Sequence, residues 1–220
     1  MAAEARSAEH HPALAHHFDD LDQQRQASEL GMWVFLVTEV LFFGGLFAAY
    51  AIYRWAYPEA FHAASHHLDV TLGAINTVVL IGSSLTMALA VQGSQLGNRR
   101  MLLVFLWLTI LLGSTFLGIK AVEYHHKYVE HLIPGASFHM EGFDAPQAQI
   151  FFSLYFGMTG MHALHMVVGV GLLLTLVVRA SKNEFSPEYH TPVEVTGLYW
   201  HFVDIVWIFL FPLLYLLGRV

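Results

Sequence analysis

Residues 150–178 read IFFSLYFGMTGMHALHMVVGVGLLLTLVV, a run without one Asp, Glu, Lys or Arg. At about 1.5 Å per residue, a helix over this run is longer than the roughly 30 Å hydrocarbon core of a bilayer. It is predicted to cross a membrane with tilt or to protrude from it. Working outward, four more apolar stretches fall at residues 31–53, 70–91, 101–119 and 195–217. The first is interrupted in charge only by Glu39 and ends in Tyr53, Arg54, Trp55 and Tyr57, residues suited to the membrane interface. The stretch over 101–119 closes with Lys120 and Glu123, and Pro212 is expected to bend the last one near its end. The fold class this predicts is all-α: a polytopic bundle of five transmembrane helices occupying residues 29–220, behind a polar tail at 1–28.

Composition points the same way. Of the 220 residues, 56% are hydrophobic and 12% charged, against about 25% charged in soluble domains. There is no cysteine, which excludes disulfides, iron–sulfur clusters, covalent haem attachment and thiolate-bridged copper. Any metal chemistry would need His, Met or carboxylate. A formal net charge of −7 argues against nucleic-acid binding, which wants a basic patch.

The segment before the first apolar stretch is acidic and His-rich, unlike a secretory signal, so that stretch is read as a retained helix. The tail has too little apolar surface to fold alone, which predicts partial disorder. Arg25, Arg99, Arg100, Arg179 and Lys182 flank one side, and Arg54, Lys120, Lys127 and Arg219 the other. This slight excess places the N-terminus in the cytoplasm and the C-terminus outside. No internal repeat supports a transporter built from inverted halves.

An ionisable group at membrane depth needs a partner or a function. Glu39 reads either as a proton-relay carboxylate or as a carboxyl group tying its helix to a neighbour; one carboxylate alone is no pathway. His162 and His165, three apart, share a helix face. They and His201 are better suited to interhelical hydrogen bonds than to a metal, because haem or copper in a bundle takes facing ligand sets from several helices. His201 and Asp204, again three apart, are expected to pair. The remaining histidines, His10, His11 and His139 among them, fall in tail and loops and read as solvated surface. Small residues at spacing four, Gly45 with Ala49 and Ser114 with Gly118, are expected at close helix contacts.

Several of these segments together resemble subunit III of the cytochrome c and quinol oxidases. The resemblance is carried by Trp200-His201-Phe202-Val203-Asp204-Ile205-Val206-Trp207, by Thr159-Gly160-Met161-His162-Ala163-Leu164-His165, by Ser28-Glu29-Leu30-Gly31-Met32-Trp33 leading to Glu39-Val40-Leu41-Phe42-Phe43, and by Glu123-Tyr124. It extends over nearly all of the chain from Ser28, and it matches the shorter bacterial form that lacks two N-terminal helices of the longer members. The resemblance implies a non-redox subunit of a haem-copper terminal oxidase, an enzyme complex that reduces O₂ to water and translocates protons. Haem and copper would sit in partner subunits, with no catalytic residue, metal or cofactor in this chain.

The implied partners are subunit I above all, subunit II, phospholipid, and cytochrome c or quinol through the complex. The implied location is the bacterial inner membrane. Glu39 matches the family's buried carboxylate that reacts with a hydrophobic carbodiimide, and Arg179 resembles an arginine that contacts a phospholipid head group. His162, His165, Glu194, His201 and Asp204 resemble family positions of structural or unsettled role, none of them a redox ligand, and together with Glu123 they are expected to form an intramembrane polar network. Rival readings are an accessory subunit of a nitric-oxide reductase within the same family, a proton-coupled transporter, and a membrane haem-binding cytochrome.

Overall fold

The computed structural model describes residues 13–135, 138, 140 and 145–219. Six α-helices follow in order: α1 (Leu21–Ala56), α2 (Pro58–Ser65), α3 (Val70–Gln95), α4 (Arg99–Val129), α5 (Ala145–Ser181) and α6 (Thr191–Phe211). A π turn at Pro212–Leu216 and a 3₁₀ turn at Leu217–Arg219 close the chain. All but α2 are long and apolar enough to cross a membrane, so the chain is a multi-pass membrane protein with the five spanning helices expected. His10, His11, His139 and the expected disorder of residues 1–12 lie outside the described residues.

Helix boundaries follow capping chemistry more than apolar content. The Asp20 carboxylate accepts from the Gln23 N–H at 2.7 Å, so α1 begins at Leu21 and residues 21–28 of the expected tail are helical. The polar run after Asp20 is made of good helix formers that need no lipid. In the same way α4 does not close at Lys120 and Glu123 but runs on through His125 and His126, read from the sequence as loop residues, to Val129. The short α2 was not anticipated. Pro58 starts it, and it buries Phe61 against Phe151 of α5 with ring centroids 5.3 Å apart. As expected, Pro212 disrupts the last helix, which passes there from α to π geometry.

Helices α3 and α4 form a tight hairpin over Leu96, Gly97 and Asn98, with Gly97 at φ +66° and Asn98 capping α4. Helix α6 packs against this hairpin and α5 through its two tryptophans. Trp200 donates to Ser83 Oγ at 3.0 Å, and its indole lies so close to α4 and α5 that a Cβ added at Gly113 would stand 2.7 Å from it, or 2.9 Å at Gly169. Trp207 donates to Thr77 Oγ1 at 3.1 Å and meets Phe116 edge to face. Gly113 and Gly169 therefore make room for Trp200, as Gly93 does for the backbone of Leu102 across the α3–α4 hairpin. Gly45, Ser114 and Gly118 lie on exposed faces, and nothing stands within 4 Å of a Cβ at Gly45 or Gly118.

Helix α1 lies at the edge. Leu36, Phe43 and Tyr50, each seven residues from the next, form its one buried stripe, while Val37, Val40 and Leu41 are exposed as lipid-facing residues would be. Its far end clasps the C-terminus: Tyr50 donates to the Leu213 carbonyl at 2.8 Å, and Arg54, one turn on, donates to that of Leu217.

Candidate functional site

Two polar centres stand inside the helical bundle. The first joins α1 to α5. Glu39 Oε2 lies 3.1 Å from His165 Nε2, and His165 Nδ1 lies 2.8 Å from the Met161 carbonyl. A carbonyl only accepts, so Nδ1 carries a hydrogen. Nε2 is then the nitrogen that faces Oε2, and the hydrogen bond between them takes one proton, on either atom. Burial is incomplete, with side-chain exposures of 14% for His165 and 18% for Glu39. Both line a groove of about 400 Å³, shared with Met32, Phe35, Leu164 and Tyr199, that opens where lipid would lie. Tyr199 braces it by donating to the His165 carbonyl at 2.9 Å.

The second centre is fully enclosed. Lys120 Nζ donates to Glu123 Oε2 at 2.8 Å, to Tyr155 OH at 3.1 Å and to Tyr215 OH at 2.9 Å. Tyr155 and Tyr215 in turn donate to Glu123 Oε1 at 2.9 and 2.5 Å. All three ammonium hydrogens and both carboxylate oxygens are thus used. The ammonium also sits 5.1 Å from the ring centroids of Tyr155 and Trp207. A buried charge pair is tolerable on these terms, with its remaining hydrogen-bonding capacity satisfied by neighbours. The centre ties α4 to α5 and to the C-terminal π turn.

Of this second centre the sequence singled out only Glu123. The place of Lys120 after the apolar run suggests a residue flanking the membrane, but it is 3% exposed and faces the bundle. Its i, i+3 spacing to Glu123 was the available signal. Nothing in sequence joins Tyr155 and Tyr215 to them, because they come from other helices.

The other expected residues do not join one network. His162 is buried between Phe116 and Trp207 and donates from Nε2 to the Val203 carbonyl at 3.1 Å. The expected His201–Asp204 pair does not form: His201 Nδ1 meets Ser84 Oγ of α3 at 2.7 Å, and neither Asp204 oxygen has a hydrogen-bond partner. Interhelical contact with α3 wins over the local i, i+3 contact. Glu194 accepts from Gln95 Nε2 at 2.6 Å and lies 3.2 Å from His190 Nε2, at the end of the bundle where α6 begins. Arg179, at the end of α5, donates to Glu184 at 2.8 Å and stacks on Phe185. Among the described residues no three His, Asp or Glu side chains gather as metal ligands would.

The profile of the family described as "Cytochrome c oxidase subunit III" matches residues 15–219. The chain belongs to the cytochrome c oxidase subunit III family. It is 37% identical to "Cytochrome c oxidase subunit 3" of Corynebacterium diphtheriae, over 84% of this chain and 86% of the relative. It is 34% identical to the protein of that name in Thermostichus vulcanus, over 86% and 87%. With "Cytochrome bo(3) ubiquinol oxidase subunit 3" of Pseudomonas putida it shares 31% identity over 88% and 87%. Subunit III relatives thus carry both cytochrome c and quinol oxidase names. The match includes both polar centres and all five spanning helices.

Proposed function

We propose that this chain is a non-redox subunit of a haem-copper terminal oxidase, in which haem and copper reside in partner subunits. In this reading it packs on subunit I, with subunit II and others in the complex, and holds phospholipid at that contact. It sustains proton uptake and the working lifetime of the catalytic centre. It sits in a bacterial inner membrane with its N-terminus in the cytoplasm. Arg179, at the end of α5, would hold a lipid head group.

The observation that carries this reading is how the membrane histidines are engaged. His165 bonds Met161 and Glu39, His162 bonds the Val203 carbonyl, and His201 bonds Ser84. Only His165 has both ring nitrogens engaged; His162 and His201 each tie one nitrogen to another helix, and among the described residues none of the three gathers with other His, Asp or Glu side chains as the facing ligand set of a haem or copper would. The same dispersal weighs against a continuous proton relay through Glu39, His162, His165, His201 and Asp204. Only Glu39 and His165 among them are hydrogen-bonded to each other.

Purification through a tag on this chain tests the proposal. Haem-bearing oxidase subunits should co-purify, and oxidase lacking this chain should start at ordinary turnover and lose activity over many cycles. Undiminished durability without it would remove the proposed role. Turnover with reduced cytochrome c against quinol assigns the donor.

A further inference from the structure

We infer that the seam between α3 and α6 seats a transmembrane helix of another subunit, with Asp204 accepting a hydrogen bond from a donor side chain on that helix. The inference deepens the proposed place in an oxidase complex and rests on it.

Asp204 is 2% exposed, and neither carboxyl oxygen has a hydrogen-bond partner in this chain. Ser84 Oγ stands beside the carboxyl group and meets His201 Nδ1 at 2.7 Å, with neither carboxyl oxygen held in hydrogen-bond geometry. Every other carboxylate described above has a donor. An acceptor left without one in a bilayer is costly, since lipid tails offer nothing in exchange. Asp204 lines a groove of about 390 Å³ walled by Ile81 and Leu85 of α3 and Ile205 and Ile208 of α6. All four wall residues are exposed, and they must turn aside for a donor to reach the carboxyl oxygens, which are closed over in the isolated chain.

Depth identifies the class of occupant. Asp204 is 13 residues into α6 and Ser84 is 14 residues into α3. At about 1.5 Å per residue each lies about 20 Å from its helix start, well inside a hydrocarbon core of roughly 30 Å. Phospholipid head groups stay at the interface and do not reach this level. A donor at mid-membrane comes instead from a side chain carried by another spanning helix. The shape agrees. Exposed Ile75, Val78, Ile81 and Leu85 follow one another along α3 at spacings of three and four, beside Ile205 and Ile208, and leave a furrow between two ridges into which a third helix packs. Such a stripe by itself would face lipid; the buried acceptor in the middle of it sets this seam apart.

The test uses the assembled oxidase. A photoreactive benzoylphenylalanine replaces Ile205 or Leu85, and in a third variant Val104, which is exposed on α4. After illumination, the first two positions should join a single partner subunit through a peptide from the interior of one of its spanning helices. Position 104 should not reach that peptide. Cross-links from 205 and 85 confined to lipid or another small membrane solute, or formed to a second copy of this chain, would overturn the inference while co-purification of the oxidase subunits still upheld the proposed function. Failure of those subunits to co-purify would remove both. In parallel, Asp204→Asn, which keeps an acceptor, should retain the partner through purification, and Asp204→Leu should lose it several-fold; equal retention by both counts against Asp204 as the acceptor.

Discussion

Lys120 and Glu123 lie one turn apart on α4, and their 2.8 Å salt bridge is among the most enclosed contacts in the chain, with side-chain exposures of 4% and 2%. Two tyrosines from α5 and the C-terminal turn complete it. Removing one charge strands the other, and for a buried pair that costs about 3–5 kcal/mol. Lys120→Met should therefore lower the thermal midpoint of the purified complex sharply. The double variant Lys120→Met/Glu123→Leu, which strands neither charge, should recover much of the loss. A double-mutant cycle read by thermal inactivation measures the coupling.

The indole of Trp200 occupies the space a side chain at Gly113 would need, with 2.7 Å to an added Cβ. Gly113→Ala must shift a buried ring that is also bonded to Ser83, and overpacking of this kind costs about 1–3 kcal/mol. Gly118→Ala, with nothing within 4 Å of its Cβ, should leave stability unchanged or slightly raised through better helix propensity. Comparing the two by thermal inactivation separates packing at Trp200 from any general effect of altering a glycine in α4.

Tyr50 and Arg54 hold the carbonyl groups of Leu213 and Leu217, where the chain has left α-helical geometry after Pro212. Tyr50→Phe keeps the ring and loses one hydrogen bond to a buried carbonyl, a loss of about 1 kcal/mol. Backbone hydrogen exchange should quicken over 213–218 in this variant and more so with Arg54→Leu added. It should stay unchanged in the α3–α4 hairpin, because the bonds lost run to Leu213 and Leu217 at the end of the chain.

The five spanning helices were legible because 29 uncharged residues at 150–178 and their four counterparts admit no other solvent than lipid. Helix ends were less legible. Asp20 capping starts α1 in polar sequence, and Lys120 and Glu123 continue α4 past the apolar run because they are neutralised within the bundle. Partners read by local spacing fared worst. His201 and Asp204, three apart, do not bond, since Ser84, 117 residues away, takes the histidine. Glu39 with His165 spans 126 residues, and Tyr215 with Glu123 spans 92. Such contacts are set by how helices stack, which hydropathy and spacing along one helix do not encode.

Glu39 and Glu123 are both bundle carboxylates, yet they differ in access. Glu39 is 18% exposed by side chain and lines a groove open on the lipid side, with His165 as its partner at 3.1 Å. Glu123 is 2% exposed, and three donors occupy its two oxygens. A hydrophobic carbodiimide partitions into lipid and activates only a carboxyl group it can touch. Mass spectrometry of the labelled complex should therefore find the adduct on Glu39 and leave Glu123 unmodified. Glu39→Gln should abolish the label while keeping the tie to α5, since an amide N–H can donate to His165 Nε2. Comparable labelling of Glu123 would mean that the Lys120 centre opens to lipid far more readily than its closed set of bonds allows.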